Sequence, residues 1–509
     1  MKVNRSLYRI LLILSFLAVN GLILFGIGAV WSYLNTGADR SAMLHVSKEL
    51  STDYLPKVKW DTSSYEGRPM ETQTLKEIER DYLKAWRVRN LVLETNNPYG
   101  IADYYTDSAR IKLVQILDLN KANGTTLQTT TVRHQPKLEF YSADGKMVVL
   151  TDTNVERYEK IYVEDKVLLD QKNTASYQVM LLLEDGFWRI RHMVEQASIE
   201  ENATSSLNTI SSVSSISEIR GINYYPQQTP WRMFGERFNE SIIDTDFSRI
   251  RKLNLNTIRI FVPYTDFGKA TIRKDRLERL KRTLDLAEKN GLKVMVTLFD
   301  FYGDYAIHNW TLTHRHAEQI VKALKGHEAL LAWDIKNEPD LDFETRGEER
   351  VKAWLAQMIS EIKTWDTEHP VTIGWSNPLA AEHLSEMVDF VSFHYYLEPA
   401  DFSEAFAQLK NSVPNKPILL QEYGYSSYDG LWNLYLGSEK DQATYLTQMQ
   451  ETLKEHDLPF MLWTLYDFET IPKAVVGNLP WRKGKQRHFG IIDKEGRPKT
   501  AHSVFGLTD

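Results

Sequence analysis

The chain has 509 residues, which is too many for a single hydrophobic core and predicts two or three domains. Its formal charge of −7 offers no basic surface for a phosphate backbone, so the composition argues against nucleic acid as a partner. The sequence contains no cysteine, which excludes disulfides, thiolate metal sites and a lipid-modified N-terminal cysteine.

The N-terminus carries the pattern of a membrane anchor. Residues 10–30 are uncharged and rich in Leu and Ile, and a helix of that length spans roughly 30 Å of hydrocarbon. Lys2, Arg5 and Arg9 precede it without any acidic residue, which predicts a cytoplasmic N-terminus. The alternative is a cleaved secretory signal, but the apolar stretch exceeds the usual signal length and no clear Ala-x-Ala site follows it. We therefore expect residues 1–35 to form a transmembrane signal-anchor and the rest to be exported.

Composition divides the exported part into segments. Residues 36–70 are predicted to form a polar stalk, and the Ser-rich stretch 201–217 is predicted to be a linker. A smaller folded domain is expected between them, over residues 71–200. The largest domain is expected to follow the linker, over residues 218–509.

The smaller domain has an α+β pattern. Apolar residues share one helical face from Leu75 to Trp86, and from about Lys137 the apolar period changes to two, with Asp-Gly turns between strands. This order of helices followed by an antiparallel sheet resembles the cone-shaped domains of the nuclear transport factor 2-like superfamily. Such cones hold a ligand pocket in some cases, but no convergent set of titratable residues stands out here, which favours a spacer or assembly module.

The C-terminal region alternates strand-like and helix-like segments, which is the pattern of a parallel sheet. Eight strands are predicted, at residues 220–224, 257–262, 293–298, 330–335, 371–375, 388–393, 418–421 and 460–465. Eight such units in this length favour a closed (β/α)₈ TIM barrel. The predicted fold class is therefore α/β, with a C-terminal barrel, a smaller N-terminal α+β domain and one transmembrane helix.

Two glutamates each close one of these apolar segments. Glu338 follows the fourth predicted strand and Glu422 follows the seventh. Carboxyl groups at the C-terminal ends of barrel strands lie at the mouth where active sites of this architecture are built. Two of them that converge on one bond are the residue types that glycoside cleavage requires, so the sequence predicts a sugar-cleaving pair.

Within this frame the C-terminal region resembles the clan of retaining β-glycosidases that includes glycoside hydrolase families 5 and 2. The motif Asn337-Glu338-Pro339 matches the strand-four motif of that clan, and Glu422 before Tyr423 and Gly424 matches its strand-seven nucleophile. The resemblance implies that Glu338 is the proton donor and that Asn337 contacts the 2-hydroxyl of the sugar.

Further positions extend the resemblance. Arg259 matches a strand-two arginine that steadies the nucleophile, His394 and Tyr396 match a strand-six His-x-Tyr pair, and Trp463 matches a strand-eight aromatic platform. Each side chain has a structural alternative: Arg259 in an ion pair, His394 and Tyr396 as satisfied core groups, and Trp463 as barrel filling. Asp334 and Lys336, which flank the motif, are interpreted as structural.

Two features leave the substrate open. Where family 5 members often place a histidine after strand three, this chain has Asp300 and a short loop, which leaves His308 or Tyr302 as substitutes. The basic run at residues 482–487 would suit a uronic acid, but a solvated charged segment is the favoured interpretation.

The predicted function is a membrane-anchored, retaining β-glycoside hydrolase that acts on a β-linked poly- or oligosaccharide outside the cytoplasm, in the bacterial periplasm or at the cell surface, without a metal or organic cofactor. Arg259 beside Glu422 would hold that group ionised, and the charged Glu422 would favour a protonated Glu338. A transglycosylase is a close alternative. The alternative from another class is a non-catalytic saccharide-binding or scaffold protein of an envelope polysaccharide assembly.

Overall fold

The computed structural model describes residues 16, 19, 20, 54–164, 166–196, 216–430, 437–472, 475 and 480–505. The predicted membrane span at residues 10–30 lies outside the described residues except at three positions, as does nearly all of the predicted linker. Within the described ranges, no helix is both long and apolar enough to cross a bilayer. The membrane anchor and the exported location stay predictions of the sequence.

The middle domain opens with helices. In the described part of the domain these are α1 (Thr72–Thr95), α2 (Ile101–Tyr104) and α3 (Asp107–Ala122). Helix α1 buries Ile78, Tyr82 and Trp86, which recur every four residues and therefore share one face. These side chains join one apolar core with strand residues of the domain, so the helical pattern predicted here is observed as a packed face.

The sheet of the middle domain contains β1 (Lys57–Val58), β2 (Glu66–Gly67), β3 (Thr125–Tyr141), β4 (Met147–Val163), β5 (Lys166–Glu184) and β6 (Phe187–Gln196). Strands β3 to β6 pair antiparallel in chain order, and β1 and β2 each pair parallel with β3. The structure therefore differs from the predicted stalk at residues 36–70, because the end of that segment adds two short strands to the sheet. Strand β3 also begins before Lys137, since its Thr-rich start pairs with β4.

The C-terminal domain is a closed barrel of parallel strands, as predicted. Its strands are β7 (Arg220–Asn223), β8 (Thr257–Pro263), β9 (Lys293–Asp300), β10 (Leu330–Asn337), β11 (Val371–Trp375), β12 (Val391–Tyr395), β13 (Ile418–Tyr423) and β14 (Phe460–Leu462). The sixth strand begins later than predicted, because pairing with β13 starts where Val391 faces Ile418. Strand β14 closes the barrel by pairing with β7.

The described helices of the barrel domain are α4 (Glu240–Lys252), α5 (Lys274–Lys289), α6 (Trp310–Leu324), α7 (Phe343–Arg346), α8 (Glu348–Trp365), α9 (Phe402–Ser412), α10 (Glu439–Glu455) and α11 (Pro480–Gln486). Most of them lie between consecutive strands and bury one apolar face. Strands that are covered on both sides are fully buried, which explains the near-continuous apolar runs of β10 and β13.

The middle domain packs against α6 and α8 of the barrel domain. Glu361 on α8 accepts hydrogen bonds from the Tyr158 hydroxyl at 2.5 Å and from the Lys172 ammonium at 2.6 Å. The Tyr158 ring also lies 5.3 Å from the ring of Trp310. Glu361 is buried, and Gln357 of its own helix also donates to it at 2.8 Å, so side chains of both domains surround this carboxylate and join the two domains.

Replacing Glu361 with alanine should destabilise this domain contact. The change leaves the Tyr158 hydroxyl and the Lys172 ammonium without their acceptor, at a cost of about 2 kcal/mol. We expect a lower thermal unfolding midpoint, measured by calorimetry, for Glu361→Ala. The control is Glu404→Ala, which removes an exposed carboxylate on α9 and should change stability by no more than about 0.5 kcal/mol. Equal midpoints for the two variants would contradict the assignment.

Candidate active site

The two glutamates predicted from the sequence lie at the C-terminal mouth of the barrel. Glu338 directly follows β10 and adopts a left-handed backbone conformation with φ 47°, which is uncommon for a residue with a side chain. Its backbone N–H donates to the Gly374 carbonyl of the neighbouring strand at 2.6 Å, which holds this conformation. Glu422 lies within β13, where the register places it opposite His394 of β12.

The structure brings the two carboxyl groups together. An oxygen of Glu338, an oxygen of Glu422 and a ring nitrogen of His394 all lie within 4.8 Å of one another. His394 Nδ1 lies 3.0 Å from Glu338 Oε1 and 3.6 Å from Glu422 Oε2. The predicted convergence of strands four and seven on one cleft is therefore observed.

Arg259 forms hydrogen bonds with several side chains around the two glutamates. The side chain is completely buried on β8 and donates from Nη1 to Glu422 Oε1 at 2.6 Å and from Nη2 to Asp334 Oδ2 at 2.6 Å. It also donates to the side-chain oxygens of Asn337 at 2.9 Å and Asn223 at 3.1 Å. Burial alone would lower the pKa of Arg259, but Asp334 and Glu422 outweigh it and raise the pKa above its usual value. Arg259 therefore stays cationic.

Gly374 on β11 has no side chain and so leaves space for the Arg259 guanidinium. A Cβ atom at this position would lie 2.8 Å from Arg259 Nη2 and 2.3 Å from the side-chain oxygen of Gln421. The backbone N–H of Gly374 also donates to Asp334 Oδ1 at 2.9 Å. Asp334, interpreted from the sequence as structural, is thus the buried counter-charge that orients the guanidinium from the side opposite Glu422.

Tyr396 completes the surroundings of Glu422. Its hydroxyl donates to Glu422 Oε2 at 2.7 Å, while Arg259 occupies the other carboxylate oxygen. Both oxygens of Glu422 are therefore held by donors in one orientation. Glu338 differs, because the imidazole of His394 lies against its Oε1 atom. The two carboxyl groups thus have distinct environments.

His394 is buried between the two glutamates. Burial alone would lower its pKa, but the charge of Glu422 and the hydrogen bond with Glu338 outweigh burial and raise the pKa above its usual value. Its Nε2 atom lies 3.3 Å from the side-chain oxygen of Gln421. A protonated imidazole would therefore have an acceptor at each ring nitrogen.

A cavity of about 240 Å³ opens above this group. Asn337, Glu338, Tyr396, Glu422 and Trp463 line it, together with residues that were not predicted to contact the substrate: Tyr225, Trp231, Phe261, Asp300, Phe301, Val475, Gln486 and Phe489. Four of the aromatic rings form a mostly apolar wall on the side of β14, β7 and β8: Trp463, Tyr225, Trp231 and Phe261. The signal that could have found Tyr225 is its place directly after the first barrel strand, the same logic that selected Glu338.

The position after strand three is taken by Asp300. Its carboxylate lines the cavity and accepts a hydrogen bond from the Tyr225 hydroxyl at 3.3 Å. The two substitutes suggested from the sequence lie elsewhere. His308 contacts Glu94 of the middle domain at 2.9 Å, and Tyr302 packs in an aromatic cluster with Tyr264. Of the described part of the basic run at 482–487, the residue that lines the cavity is the neutral Gln486.

Glu338, His394 and Glu422 are the described residues grouped closely enough to hold a cation. Both oxygens of Glu422 already accept hydrogen bonds, and the Arg259 guanidinium places a positive charge 2.6 Å away. These three residues are therefore better suited to hydrogen bonding with one another and with Arg259 than to binding a metal ion. A reaction without metal or organic cofactor stays a prediction.

Comparisons with known proteins agree on the class of domain. Residues 218–469 match the family model for Cellulase (glycosyl hydrolase family 5). Beta-glucuronidase from Homo sapiens is 23% identical over 294 residues, covering 52% of this chain and 40% of that protein. Mannan endo-1,4-beta-mannosidase A from Emericella nidulans is 26% identical over 202 residues, covering 31% of this chain and 52% of that protein.

The chain thus spans about half or less of the length of these curated relatives. Among solved structures, Exo-beta-1,4-mannosidase Op5Man5 from Opitutaceae bacterium strain TAV5 is 19% identical with a TM-score of 0.45, and the match covers 56% of this chain and 57% of that one.

Replacing Arg259 with methionine should strongly destabilise the barrel. The change leaves Asp334 as a buried carboxylate without its cation, which costs about 3–5 kcal/mol. Adding Asp334→Asn to Arg259→Met removes that charge, so the double variant should lose at least about 1 kcal/mol less than the sum of the single variants. Urea unfolding of the four proteins measures this coupling. Additive losses would show that the pair does not interact as described.

His394 should stabilise the fold more at mildly acidic than at alkaline pH. Because its pKa is raised in the folded state, its contribution is fully present below the unfolded value of about 6.5 and is lost as pH rises through the folded value. The difference in thermal midpoint between the wild type and His394→Gln should therefore shrink from pH 6 to pH 9. A difference that grows over this range would mean that the imidazole is held neutral.

Proposed function

We propose, with the glycoside hydrolase family 5 domain of residues 218–469 as the premise, that this protein hydrolyses β-glycosidic bonds with retention of configuration. The observation that carries the proposal is the proximity of the two carboxyl groups, since one oxygen of Glu338 lies within 4.8 Å of one oxygen of Glu422. Retaining enzymes hold such groups about 5–5.5 Å apart, whereas inverting enzymes need about 6.5–9.5 Å to admit a water molecule. The spacing here supports direct attack by a carboxylate.

In the first step Glu422 is the nucleophile. Arg259 and Tyr396 donate to its two oxygens, which favours the charged form and aims the carboxylate into the cavity. An oxygen of Glu422 bonds to the anomeric carbon, and the bond from that carbon to the glycosidic oxygen breaks. Glu338 gives its proton to the departing oxygen, because a charged Glu422 nearby favours the protonated form of Glu338.

In the second step the roles reverse. Glu422 is neutral in the glycosyl ester, so Glu338 is free to remain ionised and to take a proton from water. The water oxygen bonds to the anomeric carbon, and the ester bond to Glu422 breaks. His394 lies against Glu338 at 3.0 Å and is placed to stabilise its charged form at this stage.

Asn337 and Trp463 are proposed to hold the sugar. The side-chain oxygen of Asn337 accepts from Arg259, which directs the amide NH₂ group away from the guanidinium and makes it available to the 2-hydroxyl. Trp463 presents an aromatic surface in the cavity and is packed against Trp231 with ring centroids 6.2 Å apart. Aromatic faces of this kind pack against the apolar face of a sugar ring.

A transglycosylase shares the first step and differs in using a sugar hydroxyl in the second. A non-catalytic saccharide-binding or scaffold protein is the other alternative. Burying a guanidinium and two facing carboxyl groups costs desolvation free energy. Binding a saccharide does not by itself require this arrangement. The arrangement around Glu422 therefore favours an enzyme.

Loss of either carboxyl group should abolish turnover. On a panel of aryl β-glucosides, mannosides, galactosides and glucuronides, Glu422→Ala and Glu338→Ala should each lower kcat by at least about 10³-fold on the best substrate. Glu455→Gln, at an exposed position on α10, is the control and should retain wild-type turnover. Equal rates for the wild type and both alanine variants would remove the enzyme hypothesis.

The same variants separate the two roles. With azide added, Glu338→Ala should yield a β-glycosyl azide, because azide attacks the glycosyl ester on Glu422, whereas Glu422→Ala should yield an α-glycosyl azide by direct displacement. Mass spectrometry after reaction with an activated 2-fluoroglycoside should place the adduct on Glu422. An adduct on another residue would contradict the assignment of the nucleophile.

A further inference from the structure

Three leucines project from the mouth of the barrel beside the active site. Leu341, Leu379 and Leu397 are 47%, 75% and 68% exposed. Each lies two to four residues beyond the C-terminal end of a strand, after β10, β11 and β12 respectively. Single exposed leucines are ordinary on protein surfaces, but these three lie on consecutive loops at one rim.

The three loops belong to one surface. Strands β10, β11 and β12 are neighbours in the barrel, so their loops emerge side by side. Asp340 accepts hydrogen bonds from the backbone N–H of Ser376, at 3.0 Å, and from the Ser376 hydroxyl. These bonds connect the first loop to the second. The Tyr395 hydroxyl donates to the Glu398 carbonyl at 2.8 Å and holds the third loop around Leu397. We name Leu341, Leu379 and Leu397 the leucine rim.

The strand order places the leucine rim on the Glu338 side of the mouth. Glu338 must reach the glycosidic oxygen to protonate it, so the aglycone extends past Glu338, and Leu341 N–H donates to the Glu338 carbonyl at 3.3 Å. The aromatic wall with Trp463 and Tyr225 lies on the opposite side of the mouth, after β14 and β7. This wall is therefore available to contact the sugar. The sugar and the leaving group are thereby assigned to opposite sides.

Several polar groups of these loops bond to one another. Asp340 and Ser376 bond to each other, and the side-chain oxygen of Asn377 accepts from the Ala380 N–H at 2.9 Å. Hydroxyl-rich leaving groups such as a second sugar are recognised by polar side chains and aromatic faces, whereas this rim presents leucines outward. The chemistry that matches the rim is an aliphatic chain.

We propose, resting on the proposed hydrolase function, that the leucine rim binds an apolar aglycone, so that the substrate is an amphiphilic β-glycoside with an alkyl or lipid chain as leaving group. Contact with the rim removes both the chain and the leucines from water. Each methylene group that is buried contributes roughly fourfold in binding. Because the chain is bound in the transition state as well as in the ground state, the gain is expected in kcat/KM.

The test uses the full chain and n-alkyl β-glycosides, with the sugar that gives the fastest aryl turnover. At concentrations below micelle formation, kcat/KM should rise at least tenfold from the methyl to the octyl glycoside. In Leu341→Ser/Leu379→Ser/Leu397→Ser the octyl to methyl ratio should fall below about threefold. This ratio does not depend on the fraction of folded enzyme. Leu168→Ser, which replaces a leucine that is 70% exposed in the middle domain, is the matched control and should keep the wild-type ratio.

The outcomes separate this inference from the function on which it rests. A flat chain-length series in the wild type, with aryl turnover and a Glu422 adduct present, overturns the apolar aglycone and leaves the hydrolase intact. A disaccharide leaving group that is cleaved tenfold better than octyl also overturns it, in favour of a saccharide aglycone. Absence of turnover and of any adduct on every glycoside overturns both proposals.

Discussion

The guanidinium of Arg259 is the constraint on which the rest of the site depends. One buried cation lies between two carboxylates, Asp334 and Glu422, at 2.6 Å from each. Such a group is tolerated in a barrel interior only when its donors are satisfied, and the planar fork of arginine meets acceptors from several strands at once. Gly374 is required for the same reason, because any larger residue would occupy the space of the guanidinium and of Gln421. The polar groups at the floor of the cavity therefore hold one another in position.

This floor makes two identical carboxyl groups chemically different. Glu422 is held by a cation and a phenol, whereas Glu338 follows the strand in a left-handed conformation with an imidazole against it. Difference in surroundings, rather than in residue type, separates a nucleophile from an acid in a glycosidase. His394 joins the two, since it lies within 4 Å of both and responds to the charge on each.

Above the Arg259 network, the loops that follow the strands determine which further residues surround the cavity. Asp300 and Tyr225 shape the cavity on one side, and the leucine rim lies on the other. The middle domain contacts α6 and α8, and its Glu94 lies against His308. The loop that contains His308 is therefore part of the domain contact. Residues that follow a strand can therefore serve the site or the domain contact, depending on how the loop turns.

The sequence by itself was enough to predict the eight barrel strands and the convergence of Glu338 and Glu422, because buried parallel strands are continuous apolar runs whose C-terminal ends must meet. The resemblance to the retaining β-glycosidase clan added Arg259, His394, Tyr396 and Trp463 to the same site. Only the tertiary structure decided that Asp300 rather than His308 or Tyr302 enters the cavity, that Tyr225 and Trp231 line it, and that residues 57–58 and 66–67 join the sheet instead of a stalk. Those outcomes depend on loop paths and on pairing between distant segments, which local periodicity does not encode.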